Sequence, residues 1–461
     1  MIGHARRRDQ ALPAGTLAAM RAALDRYRSF PAPARAFLAG AALLEIGHAF
    51  LWALQNLYVL SLGGFSVADA GYVNAAAAVG VVAATIPSAW AYERLGPRRS
   101  LSLACALNVA AIAGLALSAS LPPLLCWSAL SGAAYTLHTV VAAPFLVSVA
   151  SPRDRTALFQ ADFAVHALMQ TGGLLVACGL AGALEAGATP PTEALRLALL
   201  AGAAASLAAL ACYRRLPERV AGSGEARRPG ELLAILRRDH WHLWVPLALP
   251  YLLIGIGAGL SIPFINLYFT DRFALSKPVL GVVMAAACAT MTLGALGTTR
   301  VVPRLGLVRA TIATQALSIP FFLVLALATS LPVAIAAYVL RSALMNLGTP
   351  LWRNLVMEIT PVPWRAAVNA SAMLAWNVGW AASNHWGGEL IDASAGWLSA
   401  GLDGYALPML LTIATYLAAI TAEARVFWRY RHIGRSDRTA PAERPAAPGA
   451  GPPCDGVSLR G

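Results

Sequence analysis

Residues 45–58 read EIGHAFLWALQNLY, and residues 255–268 read GIGAGLSIPFINLY. Asn56-Leu57-Tyr58 returns as Asn266-Leu267-Tyr268, an offset of 266 − 56 = 210 positions. The same offset carries Ile46-Gly47 to Ile256-Gly257, Ser66 to Ser276 and Gly71 to Gly281. It also carries Arg94-Leu95-Gly96 to Arg304-Leu305-Gly306, Arg99 to Arg309 and Arg155 to Arg365. One such match is chance-level in a chain this rich in Leu, Ala and Gly. A constant offset that includes the rarer Asn, Tyr and Arg is not. Two copies of one unit in parallel orientation are the economical explanation, and internal repeats of this kind are common in secondary transporters.

The solvent of that unit follows from composition. Of 461 residues, 58% are hydrophobic and only 12% charged, about half the charge of a soluble domain. Leu101 to Leu125, Leu197 to Tyr213, Ala310 to Leu340 and Tyr405 to Ala422 each lack Asp, Glu, Lys and Arg. About 20 apolar residues cross a hydrocarbon core of roughly 30 Å, and backbone groups in lipid must pair within their own segment, so these are helices. Turn and charge signals divide the chain into spans 36–62, 70–92, 100–121, 123–150, 158–184 and 194–213, then 243–269, 278–302, 308–329, 331–357, 366–391 and 405–427. The expectation is an all-α membrane protein of twelve transmembrane helices in two pseudo-symmetric six-helix bundles, 36–213 and 243–430. Residues 1–35 read as a basic amphipathic segment on the cytoplasmic surface, 214–242 as a cytoplasmic linker and 431–461 as a disordered Pro-rich tail.

The formal charge of +13 would suggest nucleic acid in a soluble protein; in a membrane protein, the positive-inside rule accounts for it. Even-to-odd connections hold Arg94, Arg98, Arg99, Arg153, Arg155, the central Arg cluster, Arg300, Arg304, Arg309 and Arg365. Odd-to-even connections hold Asp69, Glu185, Glu193, Asp392 and Asp403, with Arg196, Arg272 and Lys277 the positive residues. Both termini are therefore expected in the cytoplasm, with the chain in the inner membrane of a bacterium. No cleavable signal is visible in the first 35 residues. Five of the six cysteines lie in apolar spans without metal-ligand spacing, which reads as small core residues.

The loop after the second span, Ala89-Trp-Ala-Tyr-Glu93-Arg94-Leu95-Gly96-Pro97-Arg98-Arg99, resembles the signature of the major facilitator superfamily at that place: Gly, an acid, Arg, Gly and a basic cluster. It departs at Ala89, at Glu93 where Asp is usual, and at Pro97. The copy at Arg304-Leu305-Gly306 has no acid. The resemblance in organisation covers about residues 36–430. It implies that Glu93 and Arg94 act, with Gly96, Arg98, Arg99, Arg304 and Gly306, as a latch that holds one conformation; the alternative is that these residues only fix topology. The family's drug-antiporter signatures are poorly matched, with Ser128 where an Arg would stand.

Ionised groups at the bilayer centre are costly, about 2.5–3.5 kcal/mol on insertion scales, so retained ones are candidate site residues. Glu45 precedes His48 by three positions and Asp162 precedes His166 by four, which puts each acid on its histidine's helix face. Either pair supplies a proton acceptor, or simply satisfies itself. His138 alone reads as a core histidine. Arg341 has no acid within a turn on its own helix and requires a cavity, a partner such as Glu45, or an anionic substrate. The resemblance implies a cavity lined by the first, fourth, seventh and tenth spans. Trp376 and Asn377 lie too deep for interfacial anchors and suit either a stacked substrate or core packing; Trp241, Trp364 and Trp428 read as anchors. The interiors of spans three, six, nine and twelve are expected to hold no ionisable residue beyond Cys and Tyr.

These residues lead to a secondary transporter that moves a small organic solute by alternating access, proton-coupled and exporting. An importing symporter for an anionic metabolite, with Arg341 as anchor, is the second reading. A non-transporting sensor or assembly factor is the third. No cofactor, metal or nucleic-acid partner is expected, and the protein is expected to be a monomer. No P-loop or metal-ligand spacing argues for an enzyme.

Overall fold

Ser66 starts a helix by a reciprocal cap: its Oγ accepts from the Asp69 N–H, and the Asp69 carboxylate accepts from the Ser66 N–H, satisfying two otherwise orphaned donors. Five other α-helices begin with Pro in the first turn, where the missing N–H costs nothing. In the computed structural model, which describes residues 25–151, 154–218, 241–360, 365–394 and 404–428, the described elements are all helical. They are α1 Ala32–Ser61, α2 Val67–Ala116, α3 Leu121–Val149, α4 Arg155–Ala186 and α5 Pro191–Tyr213, then α6 Trp241–Ser261, α7 Ile265–Phe273, α8 Lys277–Leu305, α9 Leu307–Leu327, α10 Leu331–Ile359, α11 Arg365–Ser394 and α12 Ala406–Phe427. Of the segments expected at 1–35 and 214–242, residues 1–24 and 219–240 lie outside the described residues, as does the whole tail expected at 431–461.

Among the described residues, nine helices are long and apolar enough to cross a membrane, and the protein is multi-pass. Two of these elements depart from one helix per span. α2 has 50 residues, about 75 Å if straight, too long for one crossing. It reverses at Gly96, whose φ of 73° and ψ of 173° lie in a region open essentially to glycine. Past that turn the Ser100 hydroxyl donates to the Ala91 carbonyl at 3.2 Å, a pair that a straight helix would hold about 13 Å apart. Gly306, the residue 210 positions on, repeats the turn between α8 and α9 with φ 78° and ψ 164°. The seventh expected span is instead broken by the 3-10 turn Ile262–Phe264, where Pro263 cannot donate to the preceding turn; the chain then continues as α7 to Phe273.

Within residues 32–213, α1 packs on α4 and α5, and α2 on α3 and α5. Within 241–427, α6 packs on α11 and α12, and α10 on α8 and α9. The two sets meet through α2 with α11 and α4 with α8. Close approach at both seams uses glycine. A Cβ on Gly71 would come within 2.8 Å of the Asn384 carbonyl oxygen, and one on Gly281 within 3.0 Å of the Leu174 carbonyl oxygen. Both partners of the second contact are displaced by 210 from the first, 281 − 71 and 384 − 174.

The core forks. One continuous cluster of buried side chains takes in Leu54, Tyr58, Leu174 and Cys178 from the first set and Phe264, Tyr268, Leu280 and Phe322 from the second. Beyond it the packing separates into a cluster around Phe37, Leu101, Phe145 and Tyr213 and another around Leu307, Leu355 and Phe427. Among the described residues, the halves share an interior at one end.

Gly96→Ala forces a Cβ into the strained turn and to 2.1 Å from the Glu218 carbonyl oxygen, and is expected to cost about 1–3 kcal/mol. Gly172, which has nothing within 4 Å, is the control: Gly172→Ala leaves the thermal unfolding midpoint in detergent unchanged while Gly96→Ala lowers it.

Candidate functional site

Glu45, His48, Trp52 and Asn56 recur at spacings of three, four and four along α1, which aligns them on one face. Asp162 and His166 align likewise on α4. Because α1 packs on α4, Glu45 meets a different histidine from the one expected. Its Oε2 lies 3.7 Å from His166 Nε2, whereas His48 packs its ring on Tyr135 at 4.6 Å. Helix-face spacing made a Glu45–His48 pair geometrically available; the neighbouring helix supplied a nearer imidazole. On α4, Asp162 Oδ1 is 3.6 Å from His166 Nδ1, and that nitrogen is also 3.1 Å from the Asp162 carbonyl oxygen. An Nδ1–H donating to that carbonyl leaves Nε2 aimed at Glu45. One imidazole thus stands between two carboxylates from two helices, and a proton can reside on His166 or on Glu45. Glu45 is 6% exposed.

His138 is buried, with Nε2 2.9 Å from the Tyr213 hydroxyl and its ring parallel to Phe37 at 5.8 Å. His48 Nδ1 is buried without a partner.

The second half differs in chemistry. Arg341 does not reach Glu45. Its guanidinium lies 4.5 Å over the Phe322 ring and donates to the Tyr416 hydroxyl at 3.3 Å, with the residue 4% exposed. Phe322 and Tyr416 belong to α9 and α12, so the charge is held inside its own helix set by a cation–π contact and one hydrogen bond. Trp376 stacks on Trp380 at 5.0 Å, and Trp380 faces Trp52 of α1 at 6.4 Å, a ladder of three indoles across the two sets. Asn377 donates to the Met373 carbonyl at 2.8 Å on its own helix. The expectation of no ionisable group in the interior of the twelfth span fails at Glu423, buried at 2% exposure on α12. It lies one residue beyond the uncharged block ending at Ala422, which is why the hydropathy reading passed over it. Trp52 and Tyr135 were also missed, although the spacing of Trp52 between His48 and Asn56 marked it.

One end of the molecule is bolted shut. Asn56 Nδ2 donates to the Pro263 carbonyl at 2.6 Å, and Asn266 Nδ2 donates to the Ala53 carbonyl at 3.1 Å. The four positions form a reciprocal exchange, since 263 − 53 and 266 − 56 are both 210. Asn56 also donates to Asn266 Oδ1 at 3.3 Å, and Gln55 and Asn74 extend the amide network. Around it, Lys277 pairs with Glu185, Tyr72 donates to Glu389 at 2.5 Å, and the Asp392 carboxylate accepts from the Val67 and Ala68 N–H groups at 3.3 and 2.8 Å. Asp392 therefore caps the positive end of α2 from the other helix set.

The latch expected at the opposite end holds no pair across the two sets among the described residues. Glu93 is exposed. Arg94 lies 4.1 Å over Trp90, Arg98 is 3.5 Å from Glu218, Arg99 and Arg304 are exposed, and Arg309 sits over Trp428 at 5.6 Å.

The sequence profile of the Major Facilitator Superfamily matches residues 29–384, over three quarters of the chain. The chain belongs to that superfamily. Solved structures agree in fold. The nucleoside transporter NupG superposes with a TM-score of 0.68 at 12% identity over 85% of this chain and 99% of that one. A bacterial homolog of the human lysosomal transporter Spinster, inward-facing and occupied, gives 0.68 at 16% identity over 86% and 96%. The D-xylose-proton symporter gives 0.66 at 15% identity over 84% and 96%. A search of curated protein sequences finds no match. This superfamily member is a multi-pass membrane transport protein.

His166→Leu removes the partner of a buried carboxylate and is expected to lower stability by about 1–3 kcal/mol at neutral pH. Adding Glu45→Gln recovers part of the loss, because the uncompensated charge disappears. Thermal unfolding of the two single variants and the double variant measures the coupling.

Proposed function

We propose that this protein is a proton-coupled secondary transporter that exports a small organic solute by alternating access between two six-helix bundles, with both termini in the cytoplasm. The observation that carries the proposal is the Glu45–His166–Asp162 group, which places an exchangeable proton on α1 and α4 between bilayer-spanning segments. Membership of the superfamily supports alternating access. The 210-residue offset recurring in the Gly71, Gly281 and reciprocal asparagine contacts supports two equivalent bundles in parallel orientation. The acid-rich loops lie at the bolted end, so the positive-inside rule makes that end the outer face and the present conformation open to the cytoplasm.

The transport cycle then follows from electrostatics. With a proton on the Glu45–His166 pair, one of the cluster's two negative charges is neutralised and the halves can rock. When the proton leaves, a carboxylate is left available to hydrogen-bond a solute. Trp52, Trp376 and Trp380 offer ring faces across the two halves. An importing symporter anchored on Arg341 is the second reading; that guanidinium meets Phe322 and Tyr416, with its Nε buried and without a hydrogen-bond partner.

Proteoliposomes loaded with a pH-sensitive dye test the coupling directly. A panel of nucleosides, sugars, amino acids and aromatic amines is applied, and solute-induced proton movement is followed beside solute counterflow. The expected result is proton movement in the wild type that Glu45→Gln abolishes while counterflow persists. Counterflow without any proton movement in the wild type sinks the coupling, and absence of both across a broad panel sinks the transport reading. Lys277, the chain's sole lysine, reports the outer gate. A membrane-impermeant amine reagent applied from outside is expected to modify Lys277 faster in Glu185→Gln than in the wild type.

A further inference from the structure

Glu423 and Gln315 lie away from the Glu45 cluster, facing one another between α12 and α9 at 2% and 4% exposure. Gln315 Nε2 donates to Glu423 Oε1 at 3.4 Å. The two remaining oxygens, Glu423 Oε2 and Gln315 Oε1, are both buried and both without a partner. Two bare acceptors on hydrogen-bonded neighbours in an apolar interior cannot satisfy each other, and each forfeits the hydrogen bonds it had in water. One proton resolves both. A carboxylic acid and a primary carboxamide close a planar ring through two hydrogen bonds, the amide N–H donating to the acid's carbonyl oxygen and the acid's O–H donating to the amide oxygen. Exchanging the nitrogen and oxygen of the Gln315 amide sets oxygen against oxygen and still requires that proton.

We propose that Glu423 is a proton-binding site of the C-terminal half, holding its proton on Oε2 and donating it to Gln315 Oε1. Among the described residues, no ion pair to Glu423 favours the anion instead. On α9 the basic neighbour is Arg309, whose guanidinium lies over Trp428. On α10, Arg341 is engaged with Phe322 and Tyr416, and Tyr416 precedes Glu423 by seven residues, about 10 Å along the helix. On α6 the titratable neighbour is Tyr251, which shares an apolar cluster with Phe427. On α12 itself, Arg425 is exposed. The equivalent position in the first half, 423 − 210 = 213, carries Tyr213, whose hydroxyl meets His138; there a neutral donor fills the role that the protonated acid fills here. The bond fastens α12 to α9, so losing the proton would set an unpaired anion between two packed helices.

Infrared spectroscopy of the full-length protein in lipid, in a Glu45→Gln/Asp162→Asn background that silences the other cluster, tests the assignment. At neutral pH a protonated-carboxyl stretch is expected that vanishes in Glu423→Gln and moves to higher frequency in Gln315→Leu. Thermal unfolding is the second measurement. A proton held only in the folded state contributes stability that is complete at low pH and lost as pH rises. The Glu423 protein should therefore lose thermal midpoint on alkalinisation more steeply than Glu423→Gln, whose two amides can form the same pair of bonds at any pH. A carboxylate signature at neutral pH that Glu423→Gln removes, or identical pH profiles for the two proteins, overturns the proposal in favour of a bound water or cation.

Discussion

Two asparagine side chains, Asn56 and Asn266, each donate to a backbone carbonyl of the opposite helix set, and the rest of the architecture is arranged about that exchange. In a membrane no water is at hand to replace a broken amide bond, so the alternative to the clasp is a pair of bare side-chain donors. On the second side the Leu267 N–H is taken by Asn266 Oδ1 at 2.9 Å, so that the Pro263 carbonyl is open to accept from Asn56. The forked core is the apolar counterpart of the same constraint. Side chains from both sets interlock around the clasp and part company beyond it, leaving an interior whose opening depends on whether that end stays closed.

The two halves repeat each other in backbone and differ in chemistry. Gly96 and Gly306 make the same turn, and Gly71 and Gly281 the same close approach. Yet Glu45 and His166 of the first half correspond to Gly255 and Trp376 of the second (255 − 45 and 376 − 166 are both 210), and a Cβ at Gly255 would meet the Trp376 carbonyl oxygen at 2.3 Å. A contact made by charge on one side is made by close packing on the other. Two buried charged residues of the second half, Arg341 and Glu423, are held between its own helices.

Hydropathy was sufficient to read the all-α, multi-pass membrane class, because burial in lipid imposes long uncharged runs. Helix-face spacing identified the Glu45 and His166 positions but misassigned their partner, since spacing speaks only of one helix and the ion pair is formed between two. Arg341 was legible as a buried cation needing a neighbour; that the neighbour would be an aromatic ring and a phenol depended on packing of α9 and α12, which no local pattern encodes. Glu423 lay in plain view one residue past an uncharged block. A carboxylate that close to a span's end reads as interfacial until the fold closes over it.

The reciprocity of the asparagine clasp also bears on descent. On the two-copy reading, a single six-helix ancestor pairing with itself about a two-fold axis would have formed both bonds from one asparagine and one carbonyl, so that a single codon change altered both ends of the contact at once. Fusion of the two copies into one chain released each side to mutate independently. A homodimer must present identical surfaces to whatever lies on its axis, whereas the fused descendant can confront its passenger with acid on one flank and indole on the other.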